Sequence, residues 1–308
     1  MPCPSARRSG TVPCRSSRTA WCGRRAPAQG SGGRRVAGVN PDSIPLHTTA
    51  VGDPSDTDRT TGRIVFLHGL FGQGKNFTSI AKALQPDFVS LLVDLPNHGR
   101  SGWTQRVDFE QMADTVATEL RRGFAADGPV HLVGHSMGGK VAMTVALRHP
   151  DLIDRLVVVD IAPVASSDMS EFRHLLGALD TLDLSDLPSR TEADARLTEL
   201  IPNRTTRGFL LQNLRADGDG WRWQANLDLL LRDLPEIGDF VPSGGPFDRP
   251  VLWVAGARSP YITPEAEPPM RELFPRTVLV TIKGAGHWVH SEKPEAFTSA
   301  LRVFLTAD

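Results

Sequence analysis

Ser136 stands in the sequence Gly134-His135-Ser136-Met137-Gly138, a G-x-S-x-G pattern that follows an apolar run at 130–133 and precedes a helical run marked by Val141, Ala142 and Val145. In that setting the pattern predicts a sharp strand-to-helix elbow that exposes the Ser136 hydroxyl. The elbow also leaves the Met137 N–H at a helix N-terminus, aimed at an oxyanion forming on an acyl carbon. A second donor is needed, and the Leu70 N–H in His68-Gly69-Leu70 can supply it from the end of the first core strand. His68 itself reads as structural. A serine hydroxyl also needs a base. His287, in Gly284-Ala285-Gly286-His287-Trp288 after the final strand, fits the chain order Ser…Asp…His, and His290 is its one competitor. The acid is less routine, because the loop after residues 251–255 presents Ser259 in Ser259-Pro260-Tyr261 where Asp is usual. One strand earlier, Asp160 ends the run 156–159. We therefore assign Asp160 to orient the imidazole, with Ser259 as an auxiliary hydroxyl and Glu265 as the fallback acid.

A rival reading competes for the same first loop. Gly69-Leu70-Phe71-Gly72-Gln73-Gly74-Lys75-Asn76 nearly matches the phosphate-binding pattern G-x-x-x-x-G-K-[ST], with Asp94 as the accompanying acid. Asn76 occupies the position where a hydroxyl must hold Mg²⁺, which disfavours a nucleotide hydrolase. Asp94 then reads as a turn residue.

The elements that position these residues are short and apolar almost throughout. Strands are expected at 64–67, 88–93, 130–133, 156–159, 251–255 and 278–282. Such runs suit parallel strands covered on both faces. Helical spacing links Phe77, Ile80, Ala81 and Leu84, then Phe109, Met112, Ala113, Val116 and Leu120, and finally Phe297, Ala300, Leu301 and Phe304. This alternation predicts an α/β fold, a mostly parallel doubly wound sheet. It breaks at about 164–249, a Leu-rich stretch read as a helical lid, with a capping box expected at Ser189 and Glu192.

Charge divides the chain differently. Eight of the 34 Lys and Arg residues are arginines within 1–41, which has no acidic residue, so residues 42–308 carry 26 basic against 35 acidic groups. The body's acidity argues against a nucleic-acid partner. Residues 1–41 have no apolar period and are expected to be a disordered leader, either transit-like or read from an upstream start. The hydrolytic domain is expected over 42–308. Cys3, Cys14 and Cys22 all lie in the leader, leaving the body without a disulfide framework and suggesting a cytoplasmic site, or an organellar matrix if the leader is a transit peptide. No apolar run is long enough to span a membrane, and no metal or organic cofactor is called for.

These motifs together resemble the α/β-hydrolase superfamily, and more narrowly the YbfF-type esterase and abhydrolase-domain family, from about residue 60 onward. The narrow match rests on His68-Gly-Leu-Phe-Gly72, Pro96-Asn-His-Gly99, Gly134-His-Ser-Met-Gly-Gly-Lys140, Asp160-Ile-Ala-Pro163, Ser259-Pro-Tyr261 and Gly286-His-Trp-Val-His290. Phe209-Leu-Leu-Gln-Asn-Leu214 and Asn226-Leu227 in the lid are also similar. The resemblance implies a lid after the sixth strand of the family's numbering. It also implies a catalytic set of Ser136, Asp160, Ser259 and His287, and a small-molecule substrate that is a carboxylic ester or acyl thioester. A C–C hydrolase or lyase would share nearly every motif. Phe71, Tyr261 and Trp288 are candidates for lining an acyl pocket. Nothing in the sequence sets the oligomeric state.

Overall fold

A computed structural model describes residues 44–53, 62–166 and 168–307; the expected leader lies outside them. The chain runs β1 (His47–Val51), β2 (Gly62–Leu67), α1 (Thr78–Ala83), β3 (Phe88–Asp94), α2 (Phe109–Arg122), β4 (Val130–His135), α3 (Met137–Arg148) and β5 (Ile153–Val159). An insert then carries α4 (Ser170–Asp180), α5 (Arg190–Arg196), α6 (Arg204–Leu211), β6 (Leu214–Asp217), β7 (Gly220–Trp223), α7 (Leu227–Arg232) and α8 (Leu234–Gly238). The fold resumes with β8 (Val251–Gly256), α9 (Glu267–Leu273), β9 (Thr277–Ile282), α10 (Val289–Glu292) and α11 (Pro294–Leu305).

Seven strands form one sheet in the order β1-β3-β2-β4-β5-β8-β9, parallel except for β1, which pairs antiparallel with β3. All six expected strands are present. The additional edge strand β1 is not among the expected strands; its half-exposed and exposed residues carry too little apolar signal. Successive side chains of a strand face opposite ways, so Ile64 and Phe66 pack with α1 and α11 while Val65 and Leu67 pack with α2 and α3. Two apolar layers result, one on each face, as the unbroken apolar strands require.

The insert departs from the sequence reading in two ways. It is not all helical: β6 and β7 form a hairpin closed around Gly218, which has φ 59°. The expected capping box at α5 is only half made. Ser189 Oγ accepts from the Glu192 N–H at 3.1 Å, but the Glu192 carboxylate pairs with Arg196 at 3.2 Å instead of reaching back.

Candidate active site

The sheet concentrates its backbone strain at one end. Among the described residues, four non-glycine residues have positive φ: Phe71 (63°), Asn97 (66°), Ser136 (53°) and Asp160 (53°). They follow the carboxyl ends of β2, β3, β4 and β5, which are neighbours in the sheet. Each such residue costs on the order of 1–3 kcal/mol and persists only where its surroundings over-determine it. At Ser136 that over-determination is steric. A Cβ on Gly134 would lie 2.2 Å from the Gly138 carbonyl oxygen, and one on Gly138 would lie 2.4 Å from that of His68. Only glycine fits at either position, so β4 turns into α3 within one residue. The Ser136 N–H donates to the Val159 carbonyl at 3.0 Å, tying the elbow to the strand that ends in Asp160.

His287 reaches this elbow from the far end of the chain. Its Nδ1–H donates to Asp160 Oδ2 at 2.8 Å, and its Nε2 accepts from Ser136 Oγ at 2.9 Å. The carboxylate must face the protonated nitrogen, which leaves Nε2 as the acceptor and fixes the tautomer. Asp160 is fully buried, so its charge needs several donors. The Gly256 N–H donates to Oδ1 at 2.8 Å, and the Ser259 hydroxyl donates to Oδ2 beside His287. Ser259 thus meets the acid rather than replacing it. Glu265 is exposed, on the short turn Pro264–Ala266.

The loop after β2 is held with equal care. The Gly69 carbonyl accepts from His68 Nδ1–H at 2.8 Å and from the Gly72 N–H at 2.9 Å. A trans peptide is planar, so fixing this carbonyl turns the Leu70 N–H of the same peptide the opposite way. His68 Nε2 accepts from the Leu95 N–H at 2.9 Å, which makes Nδ1 the protonated nitrogen. Leu70, Met137 and Ser136 all line one cavity of about 20 Å³, room for a single water.

Comparison with known proteins shows the family to which this fold belongs. The family described as "Alpha/beta hydrolase family" matches residues 64–300. The chain belongs to the alpha/beta hydrolase family. It is 39% identical over 257 residues to the mouse sn-1-specific diacylglycerol lipase ABHD11, covering 81% of this chain and 83% of that protein. It is 33% identical over 246 residues to Esterase YbfF of Escherichia coli (strain K12), covering 79% of this chain and 92% of that protein. Among solved structures, a marine microorganism esterase is 34% identical with a TM-score of 0.80, covering 85% of this chain and 100% of that one.

Membership in this hydrolase family disposes of the phosphate-loop reading, and the loop's own bonds explain the near-match. The Gly74 N–H donates to Asp94 Oδ1 at 2.7 Å, and Asn76 Oδ1 accepts from the Gln73 N–H at 2.7 Å. Asp94 also accepts from the Arg100 N–H at 3.0 Å, as a turn residue should. The glycines and Asn76 serve the chain's own backbone.

The remaining buried histidines of the hydrolase domain are neutral supports. Burial lowers His68 to about 4 and His98 and His290 to about 3. His290 sits on α10, stacked on Phe77 at 4.6 Å and edge-on to His135 at 4.6 Å, so the competitor for the base packs in the core beside the site. His135 has a role that the sequence did not reveal. Its Nε2–H donates to the His287 carbonyl at 2.8 Å and pins the backbone of that loop. Burial, followed by the neighbouring His290 and His287, drives His135 well below its ordinary value. Lys140 on α3 is also buried and donates to the carbonyls of Ile237, Gly238 and Asp239 at 2.9, 2.7 and 2.9 Å, joining the elbow helix to the end of α8. Burial lowers its amine to about 8.

The candidate pocket residues separate. Tyr261 packs on His287 with ring centroids 4.4 Å apart and lines both the 20 Å³ cavity and a second cavity of about 670 Å³. Trp288 lines the larger cavity, as do Ser259 and His287. Phe71 lines neither; it is buried in the core, with its ring 6.3 Å from Phe172. Among the described residues no cluster of His, Cys, Asp or Glu is suited to a metal ion, and no helix is long and apolar enough to cross a membrane.

Proposed function

We propose that this protein hydrolyses a carboxylic ester or acyl thioester through an acyl-enzyme on Ser136. The observation that carries the reading is the unbroken hydrogen-bond chain from Ser136 Oγ through His287 to Asp160. Ser136 Oγ attacks the acyl carbon as its proton passes to His287 Nε2, and Asp160 stabilises the imidazolium. The Leu70 and Met137 N–H groups bind the oxyanion. The carbon–oxygen or carbon–sulfur bond then breaks, and His287 returns the proton to the leaving group. Water repeats the sequence on the acyl-enzyme, releasing the acid and restoring Ser136.

The insert acts as a lid in this scheme. Met169, Phe172 and Ile237 from the insert line the cavity of about 20 Å³ at Ser136, and in this scheme their withdrawal makes room for the acyl group. The larger cavity, beside His287, Tyr261 and Trp288, has the volume of a small-molecule site. The relatives' names, an esterase and a diacylglycerol lipase, support an ester over a carbon–carbon bond as the target. An assay with p-nitrophenyl butyrate, butyryl-CoA and a vinylogous diketone tests this. We expect turnover of an acyl ester or thioester; turnover of the diketone alone would transfer the protein to the C–C hydrolases. The cysteine-free acidic body supports a cytoplasmic location, which mapping of the native N-terminus tests against organellar cleavage.

A further inference from the structure

The motif Phe209-Leu-Leu-Gln-Asn-Leu214 of the insert has no part in the mechanism above, yet its two amides end at the loop that carries the Leu70 N–H. Asn213 Nδ2 donates to the Phe71 carbonyl at 2.8 Å, and Gln212 Nε2 donates to the same oxygen at 3.3 Å. On the other side of Phe71 its N–H donates to His98 Nε2 at 3.3 Å. Phe71 is the strained residue of this loop, with φ 63°. The Phe71 carbonyl and the Gly72 N–H belong to one planar peptide. That N–H donates to the Gly69 carbonyl at 2.9 Å, whose own peptide carries the Leu70 N–H. If Phe71 loses its partners and relaxes toward negative φ, this chain of contacts shifts.

Asn213 is built for this contact. It is fully buried, and every polar atom of its side chain is engaged. Nδ2 gives its second hydrogen to the Leu210 carbonyl at 3.1 Å, and Oδ1 accepts from Gln73 Nε2 at 2.9 Å. Two carbonyls face one end of the amide and a donor faces the other, so only one orientation satisfies it. Its backbone carbonyl also accepts from the Gln224 N–H at 2.7 Å, which ties the amide to the β6–β7 hairpin.

We propose that Asn213 is a positioning residue for the oxyanion donor, holding the Gly69–Leu70 peptide in line through the Phe71 carbonyl and the Gly72 N–H of the same peptide. Seating of the insert and completion of the oxyanion site are then one event. The inference rests on the acyl-enzyme reading above. An oxyanion donor acts only in the transition state, so a misplaced donor lowers kcat and leaves KM nearly unchanged. A loosened lid would instead raise KM.

The test uses the full chain with p-nitrophenyl butyrate as substrate and a trifluoromethyl ketone as oxyanion-forming inhibitor. Asn213→Leu is expected to lower kcat by about 10- to 100-fold, less than outright loss of an oxyanion donor. KM should stay within about twofold, and affinity for the ketone should fall in parallel with kcat/KM. Gln212→Ala removes the weaker, half-buried donor and keeps the test open if Asn213→Leu does not fold. It is expected to lower kcat by about two- to fivefold with the same KM pattern. Folded variants with wild-type kcat and ketone affinity, or with KM alone raised, would overturn the proposal. A wild-type chain with no esterase activity and no phosphonate adduct at Ser136 would instead overturn the acyl-enzyme reading beneath it.

Discussion

The site has two halves that are held by different physics. Ser136, Asp160 and His287 stand on or beside strand ends, and atomic contacts that admit no alternative hold them: glycines with no room for a Cβ, a fully buried carboxylate, a fixed imidazole tautomer. The insert is joined to the same place by side-chain amides and one ammonium: Asn213, Gln212 and Asn226 reach out from the insert, and Gln73 and Lys140 reach into it from the sheet-borne part. Steric constraint keeps Ser136 in register whatever the insert does. Hydrogen bonds worth about 1 kcal/mol each can be exchanged for water, which suits the lid role proposed for the insert. The difference implies that damage to the sheet-borne half abolishes chemistry, whereas damage to the insert grades it.

Substitutions can break or sharpen that contrast. Ser136→Ala should reduce kcat by about 10⁴- to 10⁶-fold without unfolding the chain, read as ester hydrolysis beside a thermal melt. Asp160→Asn should reduce kcat by about 10³- to 10⁴-fold, because the amide favours the wrong tautomer of His287. Glu265→Gln, at an exposed residue while Asp160 holds His287 Nδ1, should match wild type; the reverse ranking would move the acid to Glu265.

Acid tests the supports of the sheet-borne half. His68, His98 and His290 have folded values of about 4, 3 and 3 against an ordinary 6.5. Between pH 6.5 and about 4 the unfolded chain binds these three protons and the folded chain does not. Stability is therefore full above 6.5 and lost as the pH falls, by about 4 kcal/mol per pH unit for the three together. Urea midpoints at pH 6.5, 5.5 and 4.5 measure it, and flat midpoints would contradict the neutral, buried assignment. Gly138→Ala drives a Cβ to within 2.4 and 2.5 Å of two backbone carbonyl oxygens. It should lower stability by about 3 kcal/mol, in the upper range for overpacked sites. In the insert the effect should be smallest. Asn226→Ala removes a 3.3 Å bond to Asn97 Oδ1 and should cost about 1 kcal/mol in a urea titration with activity largely retained.

The same contrast explains what the sequence disclosed. The strands of the core were legible because apolar runs of four to six residues have few other uses, and the elbow because G-x-S-x-G has a steric meaning at a strand end. Asp160 was legible from its place after a strand, although the usual position holds Ser259. The edge strand β1 was not, since half-exposed His47 and Thr48 and exposed Thr49 give no period. The β6–β7 hairpin hid in a Leu-rich helical stretch; Asp217-Gly218-Asp219-Gly220 just before Trp221 and Trp223 is the turn signal that would have revealed it. Phe71 was only a pocket candidate, and it is buried in the core; an aromatic residue beside a loop reads alike whether it lines a cavity or fills the core. His135 and Asn213 act through backbone carbonyls far away in sequence, and no local pattern marks such a partner.

The central claim is that Ser136 is a nucleophile activated by His287. Labelling with a fluorophosphonate, followed by peptide mass spectrometry, tests it most directly. The account predicts a single adduct on the peptide that contains Ser136, formed at a rate that collapses in His287→Ala while the fold persists. An adduct on another residue, no adduct at all, or an undiminished rate without His287 would contradict it.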